Sequence, residues 1–428
     1  MRRVTMSSRR WFPLLATPFL APLLASACAA PDAGPASLIV FEGARVIVGD
    51  GSDPIENAML VVENGRITQV GTQLDAPASA ARVDLTGKTV MPAIVNAHMH
   101  LSGTREELIG QLEHNIYYGA GAVVSLGTDS SAASFALRDE PAPGVARLLT
   151  AGRGIVGPEP GRTEVPYWVT TEAESRQAVQ ELAAKPVGIV KIWVDDRGGQ
   201  YTKLAPNLYG AVIDEAHNNG LKVIAHIFAL ADAKGLLRAG IDAFAHSVRD
   251  LDVDDEFVTL VQERPEVVLV PNLPNRGVAV DLSWLSGTIP AAELAEMQAR
   301  AVDNPDAQLS YGIQARNLDR LNEAGMRIAF GTDGGSPFAA HLEMEDMVAA
   351  GMTPAEVIMA ATHSSAEHMG LADLGTLAAG KSADFIVLNA NPLDDITNTR
   401  QISAVYLRGV EVDRDAISAR LTGGMAAN

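Results

Sequence analysis

The chain has 428 residues, a formal net charge of −19, and 47% hydrophobic and 20% charged residues. This is an ordinary globular composition, and the length favours one large domain together with a smaller one. The acidic balance argues against nucleic acids and anionic membrane surfaces as partners, because both carry negative charge.

Residues 1–30 have the pattern of an export signal. They begin with basic residues, continue with an apolar stretch and end in small residues. The motif "SRRWF" at residues 8–12 is typical of a twin-arginine signal, which predicts a periplasmic protein. The apolar part is short and interrupted by three prolines, so we do not expect a transmembrane span.

Cys28 is the only cysteine, so an intrachain disulfide is excluded. It lies at the end of the signal and allows two interpretations. Cleavage after Ala27 would leave it as a near-terminal thiol, whereas a lipoprotein signal would make it a lipid anchor. Leu24 lies one position too early for the lipoprotein pattern. Residues 31–37 are rich in proline, alanine and glycine and are interpreted as a linker.

Two terminal segments have the texture of short β-strands. Residues 38–90 alternate apolar and polar positions, and the pair Asn64-Gly65 is a strong hairpin signal. Residues 381–428 resume this pattern in "ADFIVLNANP" and "ISAVYLRGVEVDR". We therefore expect the two segments to form one small composite β-sandwich domain.

Residues 91–380 alternate short apolar runs with helical stretches. The predicted strands are 89–97, 121–126, 146–151, 188–194, 221–226, 241–246, 266–272 and 326–333. Eight such units predict an α/β fold of the (β/α)8 TIM-barrel type. An open doubly wound sheet is the alternative, but no glycine-rich dinucleotide motif follows the first strand.

Side chains of metal-ligand type lie in or directly after several predicted strands. Because the C-terminal strand ends form the active-site face of such a barrel, these residues are candidates for chemistry. They are His98 and His100 after the first run, Lys191 in the fourth, His226 and His246 ending the fifth and sixth, and Asp333 ending the eighth. Each alone has an ordinary structural explanation, for example an ion pair of Lys191 with Asp195 or Asp196. Together they predict a metal centre, since residues two apart on a strand point to one side.

An ordered set of motifs joins these residues. It comprises "MPAIVNAHMHL", Lys191, His226, His246, "FGTDGG" and the tail "ATHSSAEHMGLADLGTLAAGKSADFIVLNANPL". With this set the chain resembles the amidohydrolase superfamily over essentially its whole length after the signal. "VKIWVDD" and "IAHIFALADAKGLLRAGIDAFAHSVRD" look like its imidazolonepropionase-like and prolidase-like branch, which includes Xaa-Pro dipeptidases and ochratoxin-hydrolysing amidases. Asp129 also follows a Gly-Thr pair, but only the Gly-Thr pair before Asp333 is followed by this tail. Asp333 is therefore the candidate and Asp129 is not.

The resemblance implies a binuclear metal centre, usually of zinc. The implied ligands are His98, His100 and Asp333 for one ion, His226 and His246 for the other, and N6-carboxylated Lys191 as the bridge. A carbamate has two anionic oxygens and can span cations roughly 3.5–4 Å apart, whereas a free lysine with a pKa of about 10.4 is no ligand. Imidazole and oxygen ligands suit zinc, and manganese, cobalt and iron accept similar sets.

The implied reaction is hydrolysis of an amide (C–N) bond. Metal-bound hydroxide would attack the carbonyl carbon, and Asp333 would accept the proton of the water and deliver it to the departing amine. This residue is therefore the predicted catalytic residue as well as a ligand.

Substrate contacts are less specific in the sequence. Arg249 in "HSVRD" suits a substrate carboxylate, or else pairs with Asp250 or Asp252 on the surface. Tyr201 and, more weakly, Lys203 follow the fourth strand as further candidates. The long stretch 273–320 after the seventh strand is expected to form a lid or pocket wall.

We therefore predict an exported metal-dependent amidohydrolase that acts on N-acyl amino acids or dipeptides with a hydrophobic or proline-like residue. Three alternatives remain open. A lactonase or carboxylesterase would use the same metal site, a catalytically inactive homologue would act in binding or assembly, and a periplasmic protein would bind metal without catalysis. The expected partner is a small-molecule substrate, and the resemblance implies a homo-oligomer.

Overall fold

The computed structural model describes residues 38–423. The predicted export signal, the linker 31–37 and Cys28 lie outside this range. Within residues 38–423, no helix combines the length and the apolar character needed to cross a membrane.

Eight strands from the two ends of the chain form one mixed sheet. They are β1 (Leu38–Val46), β2 (Ile55–Glu63), β3 (Arg66–Gly71), β4 (Ala81–Asp84), β5 (Thr89–Pro92), β16 (Phe385–Leu388), β17 (Ile402–Leu407) and β18 (Val410–Glu411). Their order is β18-β17-β16-β5-β1-β2-β3, and β4 pairs with β1. The predicted hairpin is confirmed, since Asn64 and Gly65 both have positive φ between the paired residues Glu63 and Arg66.

The remaining strands form the barrel. They are β6 (Ile94–Met99), β7 (Ala120–Ser125), β8 (Arg147–Thr150), β9 (Ile155–Val156), β10 (Tyr167–Trp168), β11 (Ile189–Val194), β12 (Lys222–Ile227), β13 (Ala243–Ala245), β14 (Val268–Val270) and β15 (Arg327–Ile328). All pairings among them are parallel. The ring closes where the N–H of Ala97 donates to the carbonyl of Phe330 (2.8 Å) and Met99 bridges to Gly334. The predicted TIM-type barrel with a small β-domain from both ends of the chain is thus confirmed. The strands of that domain, predicted as a composite β-sandwich, form one mixed sheet.

The helices of the described chain come after barrel strands, except that the last one follows β18 of the terminal sheet. They are α1 (Arg105–Tyr117), α2 (Ala132–Asp139), α3 (Glu172–Ala183), α4 (Pro206–Asn218), α5 (Leu230–Ala239), α6 (Asp255–Gln262), α7 (Ala291–Arg300), α8 (Pro305–Glu323), α9 (Ala339–Ala349), α10 (Pro354–Met359), α11 (Ser365–His368) and α12 (Arg414–Gly423). A π-helical turn, Ala360–Ser364, joins α10 to α11. Capping boxes begin α1, α3 and α10, where a threonine and a glutamate three residues later satisfy each other's backbone N–H groups.

Small apolar side chains fill the barrel interior. The cluster comprises Ala97, Val124, Leu126, Ala151, Ile189, Ile224, Ala243, Ala245, Val268, Val270 and Ala329. These residues come from neighbouring strands and leave the polar residues at the C-terminal ends of the strands as the floor of the open face.

The sequence prediction of one strand over residues 89–97 was wrong. Thr89–Pro92 pairs with β1 and β16 in the terminal sheet, and Ile94–Met99 pairs with β7 in the barrel. The apolar run is continuous because both strands are buried on both faces, so hydrophobicity alone does not mark the change of sheet.

An aromatic trio holds the two ends of the chain together. The rings of Phe41 on β1 and Phe385 on β16 lie 5.0 Å apart, and Phe385 stacks on Tyr406 of β17 at 4.7 Å. We expect Phe385→Ala to lower the free energy of unfolding by about 3–5 kcal/mol, since the Phe385 side chain is fully buried and its removal leaves a cavity. Chemical denaturation measures the loss. Val410→Ala on β18 is the control, because Val410 is 69% exposed; an equal loss in both variants would contradict the packing argument.

Candidate metal centre

The structure brings all six sequence-predicted ligand residues to the C-terminal end of the barrel. His98 lies in β6, His100 directly after it, Lys191 in β11, His226 in β12, His246 directly after β13, and Asp333 in the segment after β15. Parallel strands end at the same edge of a barrel, which is why residues far apart in sequence converge here.

Three imidazoles surround the carboxylate of Asp333. Its Oδ1 lies 3.1 Å from Nε2 of His98 and 3.0 Å from Nε2 of His100, and its Oδ2 lies 3.2 Å from Nε2 of His246. One ligand atom each from His98, His246 and Asp333 lies within 4.8 Å of the other two. A cluster of nitrogen and oxygen donors at this spacing has the character of a metal site.

Lys191 and His226 complete the cluster. Nζ of Lys191 lies 3.4 Å from Nε2 of His98, and the side chain is fully buried. The rings of His226 and His246 lie 4.9 Å apart. Among residues 38–423, Lys191 forms no ion pair, so the alternative of a salt bridge with Asp195 does not apply.

Burial shifts the basic groups of the cluster toward their neutral forms. It lowers the pKa of His98 to about 4, that of His226 to about 3, and that of Lys191 to about 7. Burial alone would raise the pKa of Asp333, but its close contacts with His98 and His100 outweigh this effect, so the pKa is lowered. Neutral imidazoles beside a carboxylate anion are the states that bind a cation.

Outer hydrogen bonds orient two of the histidines. Oδ1 of Asn272 lies 2.7 Å from Nδ1 of His98, and the hydroxyl of Thr128 lies 3.2 Å from Nδ1 of His100. With the Nδ1 proton of His98 donated to Asn272, the lone pair of Nε2 faces Oδ1 of Asp333. Two acceptors that face each other need a cation or a proton between them.

The surroundings of His246 also indicate a metal ion. His246 is 1% exposed, and neither ring nitrogen forms a well-aligned hydrogen bond among the described residues, although Oδ2 of Asp333 lies 3.2 Å from Nε2. A buried imidazole without partners is costly, and a metal ion would satisfy it. The residues present therefore fit a metal ion.

The backbone around the cluster is strained. Among the described residues other than glycine, positive φ angles occur at His246 (76°), Asn272 (43°), Asp333 (50°) and Arg197 (56°), and elsewhere mainly in surface turns. Such conformations cost of order 1–3 kcal/mol each and concentrate at functional sites. Gly331 allows close packing here, because a Cβ atom at this position would lie 2.7 Å from Cβ of His98.

The substrate-contact candidates occupy different surroundings. Arg249 is partly buried, its Nε has no hydrogen-bond partner among the described residues, and it pairs with neither Asp250 nor Asp252. Tyr201 donates a hydrogen bond from its hydroxyl to the carbonyl of Pro160 (3.3 Å). The ammonium of Lys203 pairs with Asp232 instead (2.8 Å).

A cavity of about 390 Å³ lies beside the centre. One wall comes from the segment after β14, including Leu273 and Val278, and the other from the start of α9, including Phe338 and Leu342. The metal-ligand candidates do not line it. Thr332 does, however, and its neighbour in the chain is Asp333, so the cavity adjoins the segment that carries Asp333. The predicted lid stretch 273–320 supplies most of one wall and contains α7.

Several residues of the site were missed in the sequence analysis. Asn272 ends the predicted seventh strand and could have been found by the strand-end criterion that found Asp333. Thr128 stands next to Asp129, whose own Oδ2 accepts a hydrogen bond from Thr150 (2.5 Å). Asp195 was considered only as a partner of Lys191, yet its Oδ2 lies 3.0 Å from Nε2 of His226. His226 lies on the neighbouring strand and is distant in the sequence, so this contact has no local sequence signal.

The chain is similar to known proteins over most of its length. The pattern of the family described as the Amidohydrolase family matches residues 89–412. An imidazolonepropionase from Deinococcus radiodurans is 29% identical over 385 residues, covering 84% of this chain and 92% of that protein. An ochratoxinase from Aspergillus niger is 26% identical over 436 residues, covering 86% and 84%.

Solved structures agree with the fold. A protein from Bifidobacterium longum, provisionally assigned as a prolidase, superposes with a TM-score of 0.73 at 28% identity, covering 90% of this chain and all of that one. The relatives are those of the imidazolonepropionase-like and prolidase-like branch, as the motifs predicted.

Proposed function

Because the chain belongs to the amidohydrolase family, we propose that it is an exported hydrolase with two metal ions that cleaves the amide bond of N-acyl amino acids or dipeptides carrying a hydrophobic or proline-like residue. The observation that carries the proposal is the convergence of four imidazoles, a buried lysine and a carboxylate at the open face of the barrel. The names of the relatives, imidazolonepropionase and ochratoxinase, support hydrolysis of a carbon–nitrogen bond. Export to the periplasm rests on residues 1–30 alone.

The two ions would be divided among the cluster as the resemblance implies. The proposed ligands are His98, His100 and Asp333 for one ion, His226 and His246 for the other, and carboxylated Lys191 between them. Zinc is the proposed metal, since the donors are imidazole nitrogens and oxygen anions. When bound, the ions supply a water of lowered pKa and polarise the substrate carbonyl.

Burial without an acidic partner supports carboxylation of Lys191. A fully buried ammonium that lacks a carboxylate partner is strongly disfavoured. In the proposed modification, the Nζ lone pair forms a bond to the carbon of carbon dioxide. One C=O electron pair moves to oxygen, and Nζ releases a proton to water. The product is an anion whose oxygens would face the histidine cluster, of which His98 lies 3.4 Å from Nζ.

Asp333 is the proposed proton carrier. Its carboxylate is ionised and 35% exposed at the mouth of the barrel, so it can reach both a water molecule and a substrate. In the forward reaction it takes a proton from the attacking water and gives it to the amine nitrogen as the C–N bond breaks. An amine leaves poorly unless it is protonated, which makes this second transfer important for amides.

Arg249 and the neighbouring cavity support the choice of substrate. Arg249 offers a guanidinium without an acidic partner among the described residues. Burial lowers its pKa while the charge of Asp333 opposes the shift, and after burial Arg249 is the main cause that lowers the pKa of His246, so it lies near both groups. A substrate carboxylate would satisfy it. The apolar side chains among the charged ones in the cavity walls, such as Leu273, Val278 and Phe338, suit a hydrophobic group. Tyr201, beside the same face, remains a predicted contact.

We expect the metal-loaded protein to hydrolyse N-acyl amino acids and dipeptides with a free carboxylate faster than their carboxamide analogues. Arg249→Gln should raise KM for the free acids at least tenfold, about 1.4 kcal/mol, and change KM for the carboxamides little. Product amino acids are quantified for matched acids, carboxamides, lactones and esters. Faster turnover of lactones or esters would replace the amidase with a lactonase or carboxylesterase. No turnover in any series would favour a binding or assembly homologue.

A further inference from the structure

We propose that Asp195 is a positioning residue for His226, and that Arg197 and Glu159 hold it in place. The inference rests on the metal centre of the proposed function but not on its substrate. The evidence is a connected set of short polar contacts that runs from His226 through Asp195 and Arg197 to Glu159.

The strand register places Asp195 over the end of the neighbouring strand. β11 and β12 pair in parallel with Trp193 opposite His226. The chain leaves β11 after Val194 and turns, so Asp195 lies beyond the last pair. Its Oδ2 is 3.0 Å from Nε2 of His226, and both side chains are about nine-tenths buried.

Asp195 is itself fixed on both oxygens. Its Oδ1 accepts the backbone N–H of Arg197 (2.9 Å), and its Oδ2 accepts Nη1 of the same residue (2.7 Å). The guanidinium continues to Glu159, whose Oε1 accepts its Nε at 3.0 Å, and Glu159 is 2% exposed. The turn is held in an uncommon conformation, with Arg197 at a φ of 56°. A carboxylate clamped in this way has little freedom to move away from His226.

This contact decides which nitrogen of His226 is free. A neutral imidazole has one N–H and one lone pair, and a carboxylate only accepts. Asp195 therefore places the proton on Nε2 and leaves the lone pair on Nδ1. Nη1 of Arg197 also lies 3.1 Å from the same Nε2. A guanidinium only donates, so once Nε2 carries the proton Nη1 cannot bond to it and donates to Oδ2 of Asp195 (2.7 Å) instead.

The arrangement is the reverse of that at two other histidines. In His98 and His100 the outer partners, Asn272 and Thr128, contact Nδ1. Without Asp195 the proton of His226 could move to Nδ1 or the ring could rotate, and either change removes a donor from the ion that His226 shares with His246. Outer partners of this kind are worth 10–100-fold in metal affinity.

The test is titration of the metal-free full-length protein with Co²⁺, followed by its visible absorption and by equilibrium dialysis. We expect Asp195→Asn to weaken one of the two equivalents by roughly 10–100-fold and to leave the other at its wild-type affinity. Arg197→Gln should weaken the same equivalent to a smaller extent. Asp196→Asn is the matched control in the same turn, where Asp196 accepts only the backbone N–H of Gly199 (3.0 Å); both equivalents should bind as in the wild type.

Two results would overturn the assignment. One is wild-type affinity for both equivalents in folded Asp195→Asn, and the other is equal weakening of both equivalents, which would indicate a general disturbance. Circular dichroism verifies folding. If the wild type binds two equivalents but hydrolyses no amide, the proposed reaction fails while the affinities still decide the role of Asp195.

Discussion

Lys191→Ala is expected to abolish amide hydrolysis and to leave the protein with roughly one equivalent of metal instead of two, because a bridging ligand contributes to both ions. The side chain is fully buried and lies 3.4 Å from His98, so no neighbouring surface group can replace it. Activity against the best substrate and metal content by elemental analysis measure the two effects on the same preparation.

A second measurement separates carboxylation from a merely structural role of this lysine. Wild-type protein reconstituted with metal in buffer free of carbon dioxide should bind its second equivalent weakly, and added bicarbonate should restore it. Lys234→Ala is the matched control, since Lys234 pairs with Asp254 and Glu256 at the surface and should keep both equivalents. Full activity with two equivalents in Lys191→Ala would remove the carbamate bridge from the proposed centre.

Asp333→Asn is expected to lower kcat for amides by roughly 10²–10⁴-fold, the usual contribution of a positioned general acid–base group. An asparagine keeps the shape but cannot carry the proton from water to the leaving amine. The loss should be smaller for an anilide with an electron-withdrawing substituent, since its leaving group needs less protonation. Steady-state kinetics on the two substrates give the comparison.

The leaving-group comparison distinguishes the two roles of Asp333. Equal losses for both substrates would show that it acts only as a ligand, and that proton delivery belongs to another group. Asp129→Asn is the control, because Asp129 follows the same Gly-Thr pair in the sequence but is engaged by Thr150. Its kcat for the two substrates should keep the wild-type ratio.

The fold was predictable because the barrel repeats one simple pattern. Each apolar run between helical stretches became a barrel strand, and polar residues ending those runs converge since parallel strands share one edge. The run 89–97 failed for a physical reason: β5 and β6 are equally buried, and only their hydrogen-bond partners differ. Pairing partners that lie far away in the sequence leave no trace in local hydrophobicity.

The candidate site was predictable only as far as its residue types are distinctive. Histidines and the motif around Asp333 stand out in the sequence, whereas Asn272 and Thr128 are common turn and loop residues whose contacts arise from tertiary packing. Arg249 forms no ion pair with Asp250 or Asp252, because Asp250 accepts the backbone N–H of Leu230 and Asp252 pairs with Arg316. Such exclusions require coordinates.

The junction between the two sheets has a mechanical consequence. A single residue, Ala93, separates β5 from β6, and its N–H donates to the carbonyl of Asp384 (3.0 Å). The terminal sheet is therefore rigidly connected to the strand that bears His98, and the two cannot move independently. A barrel expressed without the terminal segments would begin with that strand and lack its backbone hydrogen bond to Asp384. The two ends of the chain therefore help to position His98 in the barrel.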